Sequence, residues 1–137
     1  ITAFDKDIQD RVRQLEEFSK DYTELHFQIA LNYGSRDEIL RGVRRLAKDA
    51  ADNKIDPDRF AESLFESYLD TAGIPDPDFM IRTSGELRLS NFLLWQMAYT
   101  EFYFTDVAWP DFDKAELIKA IEKYNERDRR YGGVKEE

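Results

Sequence analysis

Phe79-Met80-Ile81-Arg82-Thr83-Ser84-Gly85-Glu86-Leu87-Arg88-Leu89-Ser90-Asn91 carries the most structural information in the chain. Phe79-Met80-Ile81 is short and uniformly apolar, the pattern of a strand buried on both faces of a parallel sheet. Such a strand delivers Arg82 to its carboxyl end, where ligands bind in open α/β sheets. A glycine-containing loop follows, and Arg88 and Ser90 stand beside the next helix start, where Asn91 or Ser90 would cap a helix running through Tyr99. Two guanidiniums, a hydroxyl and the free amides of a helix start suit a phosphate or diphosphate. The arginine fork matches phosphate oxygens, and the amides add positive potential. The plain alternative pairs Arg82 and Arg88 with some of the chain's 29 acidic side chains.

Toward the N-terminus, residues 5–20 place Ile8, Val12, Leu15 and Phe18 every three or four positions, the period of an amphipathic helix. Leu25, Phe27, Ile29 and Leu31 then alternate with His26, Gln28, Ala30 and Asn32, so the period changes to that of a strand. Tyr33-Gly34 ends that strand. Ser35-Arg36-Asp37-Glu38 has capping-box spacing for a helix with Ile39, Leu40, Val43, Leu46 and Ala47 on its buried face. Asn32-Tyr33-Gly34-Ser35-Arg36 is thus a second strand end entering a helix, either favouring an anion or forming simply a turn and a cap. Asp56-Pro57 predicts a further helix, with Asp as cap, Phe60, Leu64, Phe65 and Leu69 as its stripe, and Gly73 as its stop. Phe102-Tyr103-Phe104 reads as another buried strand, and the last helix runs from Asp113 to Arg129, stopping at Gly132-Gly133. Strands alternating with helices predict an α/β fold, one region over residues 1–137 with a mostly parallel, three-stranded sheet flanked by helices. The edges of so small a sheet need a cover.

The balance of 20 Lys+Arg against 29 Asp+Glu, a net charge of −9, speaks against nucleic acid as a partner. It leaves room for a small cationic pocket. An apolar fraction of 42% and 14% aromatics exclude a disordered chain. The absence of cysteine excludes a disulfide framework, a thiolate zinc site and a cysteine nucleophile. No apolar run approaches the roughly 20 residues of a membrane span, so a cytoplasmic protein is expected. His26, the single histidine, reads as a sheet-face or core residue, and Trp95 and Tyr99 as packing.

Glu101 lies just past the expected helix. A carboxylate beside a diphosphate is electrostatically unfavourable unless a divalent cation separates them, and magnesium takes one or two carboxylates plus substrate phosphates. An ordinary surface glutamate is the other reading. Arg127, Arg129 and Arg130 precede Gly132-Gly133, where they complement a helix C-terminus or reach a neighbouring subunit's anion.

The run from Arg82 to Gln96 resembles the signature of the cis-prenyltransferase family, of the bacterial undecaprenyl diphosphate synthase type. The likeness continues through Tyr99-Thr100-Glu101-Phe102-Tyr103-Phe104 and Trp109-Pro110-Asp111-Phe112, and recurs at Asn32-Tyr33-Gly34-Ser35-Arg36 and Arg130-Tyr131-Gly132-Gly133. It implies successive cis addition of isopentenyl diphosphate to an allylic diphosphate such as farnesyl diphosphate, with Mg2+. The implied product is undecaprenyl diphosphate, the lipid carrier of cell-wall synthesis. It implies that Arg82, Arg88, Leu89 and Ser90 bind the diphosphate of isopentenyl diphosphate. Glu101 would be a magnesium ligand that can come from the partner subunit of a homodimer, and Arg130 and Gly132 would reach across that dimer. Peripheral contact with a membrane would serve the lipid product.

Leu87 stands where some members have histidine, and Ser35 and Ser84 where some have glycine; the arginines are untouched. Members also carry an N-terminal half with a Met-Asp-Gly-Asn-Gly-Arg-Trp segment, which binds the allylic diphosphate and provides the essential aspartate. This chain opens at Ile1 and has no such segment. The resemblance therefore implies the C-terminal half of the fold, with no catalytic residue of its own and no turnover alone. Two rival readings are a non-catalytic accessory subunit of a prenyltransferase complex and a simple phosphate-binding α/β domain.

Overall fold

The computed structural model describes residues 3–127. Arg130, Gly132 and the expected helix end at residues 128–133 lie outside the described residues. The chain divides into two compact units, Ile1–Tyr33 and Gly34–Glu137.

In the first unit the expected helix forms as α1 (Lys6–Ser19). Arg13 pairs with Asp10 at 2.8 Å along its surface, and Phe18 meets Tyr22 edge-on with ring centroids 5.8 Å apart. The strand expected over residues 25–31 does not form. Leu25 and Phe27 are 77% and 80% exposed, and no strand among the described residues pairs with the segment. Alternation prepares a face for packing, but a strand exists only when a neighbour takes its backbone N–H and C=O groups.

The second unit opens with α2 (Ser35–Ala51), which starts where the capping pattern places it but buries a different face. Its buried residues are Ser35, Glu38 and Gly42, whereas Leu40 and Val43 are exposed. The reason is a close approach at Gly42, where an added Cβ would lie 3.3 Å from the Tyr68 carbonyl oxygen and 3.4 Å from the Phe65 ring. The helix expected from Asp56-Pro57 is split into two short elements. The Asp56 carboxylate accepts from Asp58 N at 3.0 Å, as a cap should, but only a 3₁₀ turn (Pro57–Arg59) follows. Phe60 and Ala61 are extended, and α3 (Glu62–Glu66) has five residues.

β1 (Phe79–Arg82) and β2 (Glu101–Phe104) form a parallel pair, with Phe79 opposite Glu101 and Arg82 opposite Phe104. Among the described residues the sheet therefore has two strands rather than three. α4 (Lys114–Asn125) is capped by Asp113, whose Oδ1 accepts from Ala115 N at 2.9 Å and Glu116 N at 3.0 Å. Tyr124 of α4 packs 5.0 Å from the Phe79 ring, fixing the helix against the sheet. Leu69, Met97 and Ala120 are the buried apolar residues. The expected class holds: an α/β fold with helices and a parallel sheet, on which α4 packs.

No regular helix joins Ser90 to Tyr99. Ser90, Asn91 and Leu93 have φ of +51°, +64° and +44°, left-handed values that cannot open a right-handed helix. Residues 90–99 run instead through successive turns, in which Met97 N donates to Leu93 O at 3.0 Å.

Candidate functional site

β1 carries Arg82, half-buried, to its carboxyl end. The following loop is stitched to the continuation of β2: Thr105 N donates to Arg82 O at 3.0 Å, Gly85 N to Thr105 O at 2.9 Å, and Ser84 N to Val107 O at 2.8 Å. Ser84 and Gly85 both have positive φ, +65° and +68°. A Cβ on Gly85 would also meet Asp106 Oδ1 at 3.0 Å. Gly85→Ala should therefore cost about 1–2 kcal/mol, the scale of a left-handed non-glycine residue. Urea unfolding checks this, and an unchanged midpoint would show that the turn does not fix the loop.

Among the described residues the Arg82 guanidinium has no ion-pair or hydrogen-bond partner. Arg88 does pair, with Glu86 of the same loop, but its side chain is 64% exposed and the pair is correspondingly weak. Leu89 is half-buried and Ser90 exposed. The helix-start amides expected at Ser90 or Asn91 are absent.

Asn91 serves α2 instead. Its Oδ1 accepts from Arg36 N at 2.9 Å and its carbonyl from Ser35 N at 2.8 Å, while Ser35 Oγ accepts from Leu94 N at 2.9 Å. Gly34, the N-cap of α2, has no side chain to do this, and a Cβ there would lie 2.9 Å from Asn91 Nδ2. Gly34, Ser35 and Arg36 of the first segment singled out in the sequence thus meet Asn91 of the second. At the first, a turn and a cap form, with Asn91 taking the amides of Ser35 and Arg36.

Glu38 is a functional position in the structural sense that local pattern reading missed. It is fully buried, accepts from Asp70 N at 2.8 Å, and receives Gln96 Nε2 at 3.3 Å on each oxygen. Gln96 Nε2 also donates to Thr71 Oγ1 at 3.0 Å. The available signal was the spacing Ser35–Glu38–Gly42, three then four residues along one helix face. Beside this network Arg41 bridges Asp37 at 2.8 Å and Asp70 at 2.6 Å. The Arg41 hydrogen bonds hold the Asp70 carboxyl below its ordinary value. A carboxyl depressed by folding stabilises above its unfolded pKa of about 4, and that contribution is lost as pH falls through the folded value. Asp70→Asn should flatten this acid limb of the stability curve, by a small amount because the side chain is 43% exposed. Urea midpoints measured from pH 5 down to pH 2 test it.

Glu101 opens β2 opposite Phe79, three register positions from the Arg82–Phe104 level and so about 10 Å along the strands. Its Oε2 accepts from Arg127 at 2.6 Å, and Arg127 also donates to Phe102 O at 2.8 Å. One chain does not bring Glu101 and Arg82 together. Among the described residues no group of three or more His, Asp or Glu side chains is placed to hold a metal. A cavity of about 400 Å³, lined by Glu66, Thr71, Asp76 and Gln96 among others, lies beside the segment entering β1. Burial and then Glu66 push the Asp76 carboxyl up, and a lining with two carboxyl groups and no cationic side chain does not suit an anion. No helix among the described residues is long and apolar enough to cross a membrane.

Arg82 thus stands at the carboxyl end of a strand in a parallel pair, the position at which open α/β sheets bind ligands. Residues 1–132 match the Prenyltransf family, described as "Putative undecaprenyl diphosphate synthase". The chain belongs to that cis-prenyltransferase family. It is 53% identical over 128 residues to an isoprenyl transferase of Brucella suis, covering 93% of this chain and 50% of the relative. It is 46% identical over 132 residues to one of Chlamydia trachomatis, covering 96% and 52%. Lavandulyl diphosphate synthase from Lavandula x intermedia, solved in complex with dimethylallyl diphosphate, superposes with a TM-score of 0.92 at 38% identity, covering 96% of this chain and 56% of that one. A probable undecaprenyl diphosphate synthase from Campylobacter jejuni gives 0.81 at 31% identity, covering 96% and 59%. The chain spans about half the length of the curated relatives it matches.

Proposed function

We propose that residues 1–137 are one α/β region supplying the isopentenyl diphosphate site of an undecaprenyl diphosphate synthase that works as a cytoplasmic homodimer, with peripheral membrane contact for its lipid product in cell-wall synthesis. The observation carrying this reading is Arg82, half-buried at the end of β1 and unpaired among the described residues. A half-buried cation without a partner is unfavourable unless an anion completes it. Arg82 supplies the fixed fork, Arg88 a second one once it leaves Glu86, Ser90 a hydroxyl, and Leu89 the half-buried link between them. Arg130 and Gly132 extend the site from the partner subunit. In the assembled enzyme the bond between the allylic carbon and its diphosphate breaks. The double bond of isopentenyl diphosphate then forms the new carbon–carbon bond, and a proton leaves the adjacent carbon. These residues hold the nucleophilic substrate in line for that attack.

Glu101 fits magnesium as a single-carboxylate ligand: Oε2 is engaged, Oε1 takes no hydrogen bond among the described residues, and magnesium commonly combines one carboxylate with substrate phosphates. Glu101 would hold a magnesium ion there, and the ion would offset diphosphate charge. The distance from Glu101 to the Arg82 end of the sheet favours its serving the partner's diphosphate. Farnesyl diphosphate is the expected allylic substrate of the whole enzyme, and this chain, which spans about half the length of its relatives, should give no turnover when assayed alone.

Calorimetric titration of the 137-residue chain tests the reading. Isopentenyl diphosphate should bind saturably, more tightly with Mg2+ and more tightly than inorganic phosphate. Equal affinity for both ligands without magnesium dependence would identify a simple phosphate-binding domain instead.

A further inference from the structure

We infer that Arg127 is a competitor of the divalent cation for Glu101, a built-in counter-ion whose charge opposes a metal on the same carboxylate. The inference rests on the proposed role of Glu101. The guanidinium is held at two points, by Glu101 Oε2 at 2.6 Å and by the Phe102 carbonyl at 2.8 Å, so the contact is a defined position rather than a passing surface pair. Its backbone is held as well, since Arg127 N donates to Tyr124 O at 3.1 Å and Tyr124 packs on Phe79. The last turn of α4 therefore sets Arg127 against the first residue of β2. Without a metal this arrangement neutralises a carboxylate that is only 26% exposed. A dication on the same carboxylate would meet a like charge in a partly desolvated site, where repulsion is much stronger than in water. The guanidinium itself remains 41% exposed, so solvent can receive it when it is displaced. A metal arriving with a diphosphate also brings negative charge that a released Arg127 can meet. Glu101 is thereby disfavoured as a site for free metal and left available to a metal–diphosphate pair.

The test is Mn2+ binding, followed by water-proton relaxation, to the 137-residue chain with and without isopentenyl diphosphate. Arg127→Ala should tighten Mn2+ binding about tenfold without the diphosphate, as expected when a neighbouring like charge is removed, and less with it. Arg127→Lys keeps the charge but cannot bridge Glu101 and Phe102 together, and should tighten binding two- to threefold, by the same electrostatic scale. Thermal unfolding confirms that each variant is folded, and the lysine variant decides the matter if the alanine variant is not. Unchanged or weaker Mn2+ binding in the folded variants overturns the competition. Failure of the underlying metal assignment looks different: Glu101→Gln would then leave Mn2+ binding unaltered in both the parent and Arg127→Ala backgrounds.

Discussion

Glu38→Ala should destabilise the chain by about 3–5 kcal/mol, seen as a loss of roughly 10–15 °C in the thermal midpoint. The substitution removes the acceptor for Asp70 N and for Gln96 Nε2 at once. Each donor left buried without a partner costs about 1–3 kcal/mol, and the emptied volume adds a cavity cost. Gln96 is softened by its remaining bond to Thr71 Oγ1, which keeps the total below the simple sum. Glu38→Gln separates charge from shape. Its carbonyl oxygen can still accept from Asp70 N, but its amide faces the amide of Gln96, so about half the loss is expected to remain, on the order of 2 kcal/mol. A loss below about 1 kcal/mol for the alanine variant would mean that this buried carboxylate does not organise the junction of α2 with residues 70–96.

Arg82→Ala should weaken binding of isopentenyl diphosphate by about 1.5–3 kcal/mol, a factor of roughly ten to one hundred and fifty. Arg88→Ala should cost less, since Arg88 must first leave Glu86 and is largely exposed. Arg82 is half-buried and starts free of any described partner, so its whole interaction is available to the ligand. Arg82→Lys is informative because lysine keeps the charge but loses the planar fork, so most of the deficit should persist. Equal losses for Arg82→Ala and Arg88→Ala would place the diphosphate on the exposed loop rather than at the strand end.

The local elements were largely legible. Ile8, Val12, Leu15 and Phe18 specify α1 by period alone, the Asp113 cap marks the start of α4, and the two short apolar runs became β1 and β2. What failed depends on partners distant in sequence. Residues 25–31 alternate as a strand should, yet pairing is supplied by another segment and cannot be read from the alternation. Asn91 was expected to begin its own helix. It caps α2 instead, a role with no local spacing to reveal it. Glu38 carries the capping-box letter and spends its carboxylate on Asp70 and Gln96. At the candidate site, Arg82 was legible because strand direction alone places it at a carboxyl end. The separation of Glu101 from Arg82 was not, because it follows from the parallel register between two strands.

The cap on α2 also constrains the order of events when the chain is made. Arg36 and Asn91 are 55 residues apart, so the first turn of α2 leaves the ribosome several seconds before its cap, at about 5–20 residues per second. Through that interval the helix has to persist on its intrinsic propensity and its own side-chain pairs, with its leading amides satisfied by water. Closing so long a loop early carries an entropic cost that only the later contacts of residues 91–96 offset. The Asn91 clasp is therefore a late event in folding, and a change there should hasten unfolding more than it slows folding.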